Sequence, residues 1–301
     1  MAVLQQFLLS SWIAIALMFC FNHSVIAASS PNISDVFHNG IHNLHQQNYQ
    51  SALVDFTQVI ESQDKLVGAA YSNRCLANLQ LQNNTAAQAD CLLAIKYNSH
   101  NLEAYLNLGL AYYRQGKYQQ AIAQYLEIVQ QDQQDYRVYY NRGLAYSALA
   151  DYQQAIADYH LALIYSPESN PESKSLIYND LALAYIMLEE DEQAIFNFTQ
   201  AIALDGNNYN AYYNRGCAYH RQKYYSVAIQ DFDQAIQLNS NFTQAYVHRG
   251  ILNHQIGIRD TALKDLNLAL EQYQHQGNQE QYKTILNLKQ QLFYTQQNQI
   301  V

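Results

Sequence analysis

Charged residues recur along this chain at one spacing. Arg74, Arg142, Arg215 and Arg249 are each followed sixteen positions later by an aspartate: Asp90, Asp158, Asp231 and Asp265. At the equivalent places Leu108 precedes Gln124 and Leu181 precedes Asn197, so across these six places the acid is present only where the arginine is. Matching each arginine with the acidic position one unit earlier fails, because Arg142 would meet Gln124 and Arg215 would meet Asn197. A guanidinium taken partly out of water is costly without a partner. Charges that enter and leave together therefore predict structural salt bridges rather than ligand-binding cations. Asn39 and Asp55 do not follow the pairing, and Asp55 is expected to stay solvated.

Other chemistry has little to work with. The histidines group as His38, His42 and His45, and as His220, His248 and His254, but neither set carries a carboxylate or cysteine at ligand spacing. Scattered polar histidines and no metal site are expected. Cys75 and Cys91 are also sixteen apart, and an oxidising compartment could join them. Small apolar core residues are the favoured reading of both. No nucleophile elbow, phosphate loop or zinc-water motif is present, so no catalytic residue, no cofactor and no enzyme is expected. A net charge of -9 without any basic stripe argues against nucleic acid as a partner.

Such spacings need a scaffold that repeats. The stretch from Tyr136 to Ser169 returns when slid by 34 residues, as YLNLGLAYYRQGKYQQAIAQYLEI upstream and, after a short insertion, as YYNRGCAYHRQKYYSVAIQDFDQAI downstream. A period of that length marks a helical repeat array rather than a domain with one core. Tyr139, Gly143, Tyr146, Tyr152, Ala155, Tyr159, Ala162 and Pro167 resemble the tetratricopeptide repeat at nearly every defining position. The resemblance covers almost all of the chain after residue 32. It implies an all-α fold: a right-handed superhelical solenoid of about seven helix-turn-helix repeats plus a C-terminal capping helix.

In this register repeats begin at Ile33, Gly68, Leu102, Tyr136, Ser175, Tyr209 and Thr243. Each pairs an A helix, with a small residue at its eighth position, with a B helix carrying alanine at the twentieth. Close helix crossings need small residues there. The eighth-position residues are Gly40, Cys75, Gly109, Gly143, Ala182, Gly216 and Gly250. Large aromatics such as Tyr105, Tyr112 and Tyr125 are expected to fill the space beside the crossing, which accounts for much of the tyrosine content. The organisation is thus residues 33–169 for repeats one to four, an insertion at 170–174, residues 175–276 for repeats five to seven, and a capping helix and tail at 277–301. Asn170, Pro171 and Glu172 read as a helix start, predicting a longer A helix from Pro171.

The resemblance assigns the second, fifth, sixth, ninth, twelfth and thirteenth positions to a concave groove. The sixth is Asn73, Asn107, Asn141 and Asn214, with Asp180 and His248 in the other internal repeats. This is similar to the asparagine ladder of the O-linked N-acetylglucosamine transferase superhelix, where amides hold an extended peptide. An asparagine offers both donor and acceptor and can pair with a backbone of any sequence. The alternative is a consensus residue that tolerates a half-exposed site. Leu76, Leu106, Leu110, Tyr113, Tyr140, Leu144 and Tyr213 flank the amides, and such an apolar lining marks a protein-binding surface. A carboxylate clamp is not expected: Arg114, Arg137 and Arg221 lie near the groove, but no lysine holds the expected places.

Residues 7–21 form an apolar run, followed by Ala27 and Ala28 at positions suited to signal-peptide cleavage. The run is short for a membrane helix, although the preceding MAVLQQ lacks Lys and Arg. Residues 1–28 are therefore expected to be a signal peptide, or else a retained anchor. The function expected is an exported scaffold, outside the cytoplasm, that binds an extended protein segment, with membrane contact only through an anchor. The alternative is a module binding glycan or cell envelope.

Overall fold

A computed structural model describes residues 32–293, so the expected signal peptide and the tail 294–301 lie outside the described residues. Among these residues every regular element is an α-helix. The chain divides into two compact units, Met1–Asn101 and Leu102–Val301. The first holds two hairpins, α1 (Ile33–His45) with α2 (Tyr49–Glu61), and α3 (Val67–Gln80) with α4 (Asn84–Tyr97). The second holds five: α5 (Leu102–Arg114) with α6 (Tyr118–Val129), α7 (Tyr136–Ala148) with α8 (Tyr152–Tyr165), α9 (Pro171–Met187) with α10 (Asp191–Leu204), α11 (Tyr209–Arg221) with α12 (Tyr225–Leu238), and α13 (Thr243–Gln255) with α14 (Arg259–His275). Helix α15 (Gln279–Phe293) follows and packs on α14, placing Ile285 against Leu266, Leu270 and Tyr273.

Each hairpin closes on one crossing. In most, the ring at the twenty-fourth position lies flat against the small residue at the eighth. A Cβ added to Gly40 would come within 2.7 Å of Phe56, one on Gly143 within 2.7 Å of Tyr159, and one on Gly216 within 2.8 Å of Phe232. Real Cβ atoms essentially never come so near, so the ring is what demands the glycine. Phe56, Tyr125, Tyr159, Phe198 and Phe232 are fully buried at these crossings. Ala182 sits opposite Phe198, showing that a single methyl group can be accommodated once the ring is placed for it. In the last hairpin Leu266 takes the ring's place against Gly250. In the second, Cys75 and Cys91 occupy the two positions and are joined by a disulfide, where the sequence favoured two small apolar core residues. Their Cα atoms stand 5.4 Å apart on facing helices, within the span a disulfide requires.

The turns are closed by backbone rather than by side-chain type. In each, one residue takes a left-handed conformation: Gln47, Gln82, Gly116, Ala150, Glu189, Lys223 and Gly257. The next amide reaches back five residues, as from Asp151 to the Tyr146 carbonyl at 2.9 Å, which satisfies a helix-end acceptor. Asn170 caps α9 through the Ser173 amide at 3.1 Å, and Pro171 occupies its first turn, where a missing N–H costs nothing.

Hairpins are then fastened to one another by the arginines. Arg142 forks onto Asp158 with Nε–Oδ2 of 2.8 Å and Nη2–Oδ1 of 2.6 Å, and Arg74, Arg215 and Arg249 make the same two-pronged bond to Asp90, Asp231 and Asp265. Each guanidinium also lies over the tyrosine three residues before it, at 5.4–5.6 Å for Tyr71, Tyr139, Tyr212 and Tyr246. A third nitrogen reaches the preceding hairpin: Arg74 to Thr57 at 3.0 Å, Arg215 to Thr199 at 3.1 Å, and Arg249 to Asp233 at 2.6 Å. Asp55, expected to be solvated, instead accepts from Asn43 at 2.8 Å, as Asp90 does from Asn78 at 3.0 Å.

Two outcomes are expected in urea or thermal unfolding. Gly143→Val drives a branched side chain into the Tyr159 ring and should destabilise by about 3 kcal/mol, with the native fold's helicity regained only at lower temperature. Arg142→Leu alone strands Asp158, whose side chain is 4% exposed, and should cost about 3–5 kcal/mol. Adding Asp158→Asn, which copies the natural Leu181 and Asn197 combination, should recover most of that loss. A double variant as unstable as the single one would show that the charges do not act as a pair.

Candidate functional site

The neighbouring first helices of the second unit touch one another, α5 with α7, α7 with α9, α9 with α11 and α11 with α13. The second helices make no comparable mutual contact, so the first helices form the crowded inner wall of this unit. Asn107, Asn141, Asp180, Asn214 and His248 stand at equivalent places on that wall, all half-buried. Among the described residues the side-chain amides of Asn107, Asn141 and Asn214 make no hydrogen bond, whereas Asn73, in the first unit, donates to its own helix at the Ala69 carbonyl, 2.9 Å away.

The expected apolar flank divides. Leu110, Leu144 and Tyr113 remain half-exposed beside the amides, and Tyr113 packs on Tyr118. Leu106 is buried in the core rather than lining the wall. Tyr140 leans on Tyr159 and donates its hydroxyl to Asp180 at 2.7 Å. Tyr213 is enclosed by Phe232, Phe242 and His248, so it supports the wall and offers little free surface.

Between α5, α7 and α9 the wall opens into a cavity of about 430 Å³. Tyr113, Leu144, Asp180, Leu183 and Met187 line it, with Tyr152 and Tyr159 behind. Leu183 and Met187 hold the ninth and thirteenth positions of their repeat, so the groove positions already contained them, but their sequence neighbours gave no reason to choose them. Asp180 is one of the two residues, with His248, that break the asparagine pattern. Burial raises its carboxyl above the ordinary value, against the lowering effect of the hydroxyl of Tyr140 and the amide of Asn179, which donates at 3.2 Å. Burial likewise raises the Tyr113, Tyr140 and Tyr159 hydroxyls, and the nearby Asp180 carboxyl adds to the shift in all three.

Several other polar candidates are matched internally. Cys217 Sγ lies 3.5 Å from His248 Nδ1, a thiol–imidazole pair that would suggest a nucleophile. Burial pushes the thiol up to about 11 and pushes the imidazole down, with His220 adding to the second shift, so both groups are neutral at pH 7. His254 bonds the Leu292 carbonyl at 3.0 Å. No group of three histidine, cysteine or acidic side chains fit to hold a metal occurs among the described residues. Arg137 is engaged by Glu103 and Asp135, and Arg221 by Asp191.

Family profiles agree with this geometry. One described as TPR repeat matches residues 109–149, and two described as tetratricopeptide repeat match residues 209–242 and residues 136–168 and 176–208. The chain is a tetratricopeptide repeat protein. It is an all-α repeat solenoid, and repeats of this family typically serve as non-catalytic scaffolds for protein partners. Among solved structures it is similar to a tetratricopeptide repeat protein from Parabacteroides merdae (TM-score 0.63, 17% identity, covering 84% of this chain and 98% of that one). It is similar as well to pilF of Pseudomonas aeruginosa (0.62, 19%, 73% and 96%) and to YrrB, described as a TPR protein with an unusual peptide-binding site (0.54, 20%, 66% and 97%). At these identities the likeness speaks for the fold alone. None of the curated proteins matches this tetratricopeptide repeat chain.

The raised Asp180 carboxyl has a thermodynamic consequence. A folded-state value above the unfolded one, ordinarily 3.8, means that the group contributes stability below the unfolded value and loses it as pH rises through the folded one. Asp180→Asn, which keeps an acceptor for Tyr140, should therefore raise the unfolding midpoint at pH 7 and show less gain near pH 4. A variant equally or more stabilised at the acid end would contradict the assignment.

Proposed function

We propose that this protein is an exported, non-enzymatic scaffold that holds an extended segment of a partner protein along the inner wall of its second unit, in the assembly of an extracytoplasmic complex. The observation that carries this reading is the set of uncommitted amides on Asn107, Asn141 and Asn214, flanked by Leu110, Leu144 and Tyr113. Each amide can give and take one backbone hydrogen bond, so recognition needs an extended chain but no fixed sequence. The apolar neighbours supply the burial that isolated hydrogen bonds do not. The peptide-binding site ascribed to YrrB belongs to that protein, and for this chain it is support by likeness of fold.

Export is supported by two independent features. One is the apolar leader at residues 1–28 with its small residues at the end. The other is the Cys75–Cys91 bond, of a kind that persists in oxidising compartments and is rare in a reducing cytoplasm. A purely non-catalytic role fits the neutral state of Cys217 and His248.

The test uses the purified protein against an immobilised library of short unstructured peptides, with purified cell-wall glycan measured in parallel. Peptide retention is expected, falling by about tenfold in Asn107→Ala plus Asn141→Ala with the circular dichroism unchanged. Retention indifferent to the two substitutions, or found on glycan alone, would remove the amide-ladder reading.

A further inference from the structure

Resting on that reading, we infer that the cavity between α5, α7 and α9 is a pocket for one basic side chain, lysine or arginine, of the captured segment. Asp180 provides the charge. Asp180 lines a cavity whose other walls are mostly rings and aliphatic groups, with Ser147 the one further non-aromatic polar side chain, and its only partners among the described residues are neutral donors, the Tyr140 hydroxyl at 2.7 Å and the Asn179 amide at 3.2 Å. The contrast with the arginine–aspartate pairs is informative. The buried aspartates Asp90, Asp158, Asp231 and Asp265 are each neutralised by a guanidinium of their own hairpin. Asp180 is desolvated without a cation beside it, and burial raises its carboxyl accordingly.

The surrounding surface fits the rest of a basic residue. Leu144, Leu183 and Met187 offer an aliphatic wall for a methylene stem, and Tyr113 and Tyr159 also line the cavity. At about 430 Å³ the cavity holds one long side chain with the adjoining backbone. The whole chain carries a net charge of -9, which favours approach of a basic segment over an acidic one. The polarity is the reverse of a clamp that grips carboxylates, and two of the arginines near the groove, Arg137 and Arg221, already hold acids. The amides then hold the backbone without regard to sequence, and the pocket sets the register by choosing where a positive charge falls.

The experiment compares two immobilised pools of random short peptides, identical except that the central residue is lysine in one and norleucine, its uncharged counterpart, in the other. The full protein should be retained about tenfold better on the lysine pool, and Asp180→Asn should erase the difference between the two pools. Circular dichroism and the unfolding midpoint verify that the variant is folded. Should it fail to fold, the lysine-to-norleucine ratio of the natural protein decides alone. Equal retention on both pools, or a lysine preference that survives Asp180→Asn, overturns the pocket while peptide capture stands. Retention on neither pool overturns both.

Discussion

Everything in this molecule depends on how closely two helices can approach where a flat ring meets a residue with almost no side chain. At Gly40, Gly109, Gly143 and Gly216 the ring of Phe56, Tyr125, Tyr159 or Phe232 occupies the place a Cβ would need. The ring shields both backbones from water, and the glycine lets the helices sit near enough for the ring to touch both. Because this contact is internal to a hairpin, it can be copied along the chain without reference to a distant core. Where the ring is missing, at Cys75 and Cys91, a covalent bond spans the same gap and performs the same closure by other means. The two solutions share a requirement for proximity, which is why the cysteines occupy the very positions that elsewhere hold glycine and an aromatic.

Closure of a hairpin does not by itself stack it on the next. That step is where the arginines act, since one guanidinium addresses an aspartate of its own hairpin, a tyrosine face on its own helix, and a threonine or aspartate of the hairpin before. Arginine can do so because its five donors are held in one plane. The two hairpins that carry leucine instead, at Leu108 and Leu181, bury it fully. They fill the same space without burying a charge, and the buried Asn197 amide is satisfied by donating to the Gln193 carbonyl at 2.8 Å. Charge pairing is thus a choice at this site, and its benefit lies as much in fixing how hairpins meet as in raw stability.

Sequence reasoning reached these features unevenly, and the reasons are physical. Repeats sample each position several times, so the coupling of Arg142 with Asp158 and of Leu181 with Asn197 could be read without any second protein. The turns could not be read in the same way. Ala150, Glu189 and Lys223 take a left-handed backbone that favours glycine, and they do so because the reach from the next amide to a helix-end carbonyl outweighs the local preference. Position along the repeat predicted which residues face the wall, but not which of them are free. Tyr213 has the right position and is walled in by Phe232, Phe242 and His248, rings supplied from later in the chain, while Leu106 turns into the core. The Cys75–Cys91 bond lay between two readings because a cysteine at a tight crossing serves equally as a small apolar residue.

The wall itself shows why a scaffold of this kind can be selective while its main contacts are not. A row of amides recognises only what every peptide shares, so Asn107, Asn141 and Asn214 alone would bind any extended chain weakly and in any register. Selectivity must come from the places where the row is interrupted. There are two such places on the wall of the second unit, and they differ in chemistry. His248 is held by Cys217 and Tyr213 and kept neutral by burial, which makes it part of the packing. Asp180 keeps a carboxylate at the edge of an open cavity, with donors that carry no charge. Of the two interruptions only the second leaves an unbalanced charge beside space for a ligand, and an unbalanced buried charge is the feature a partner can most profitably complete.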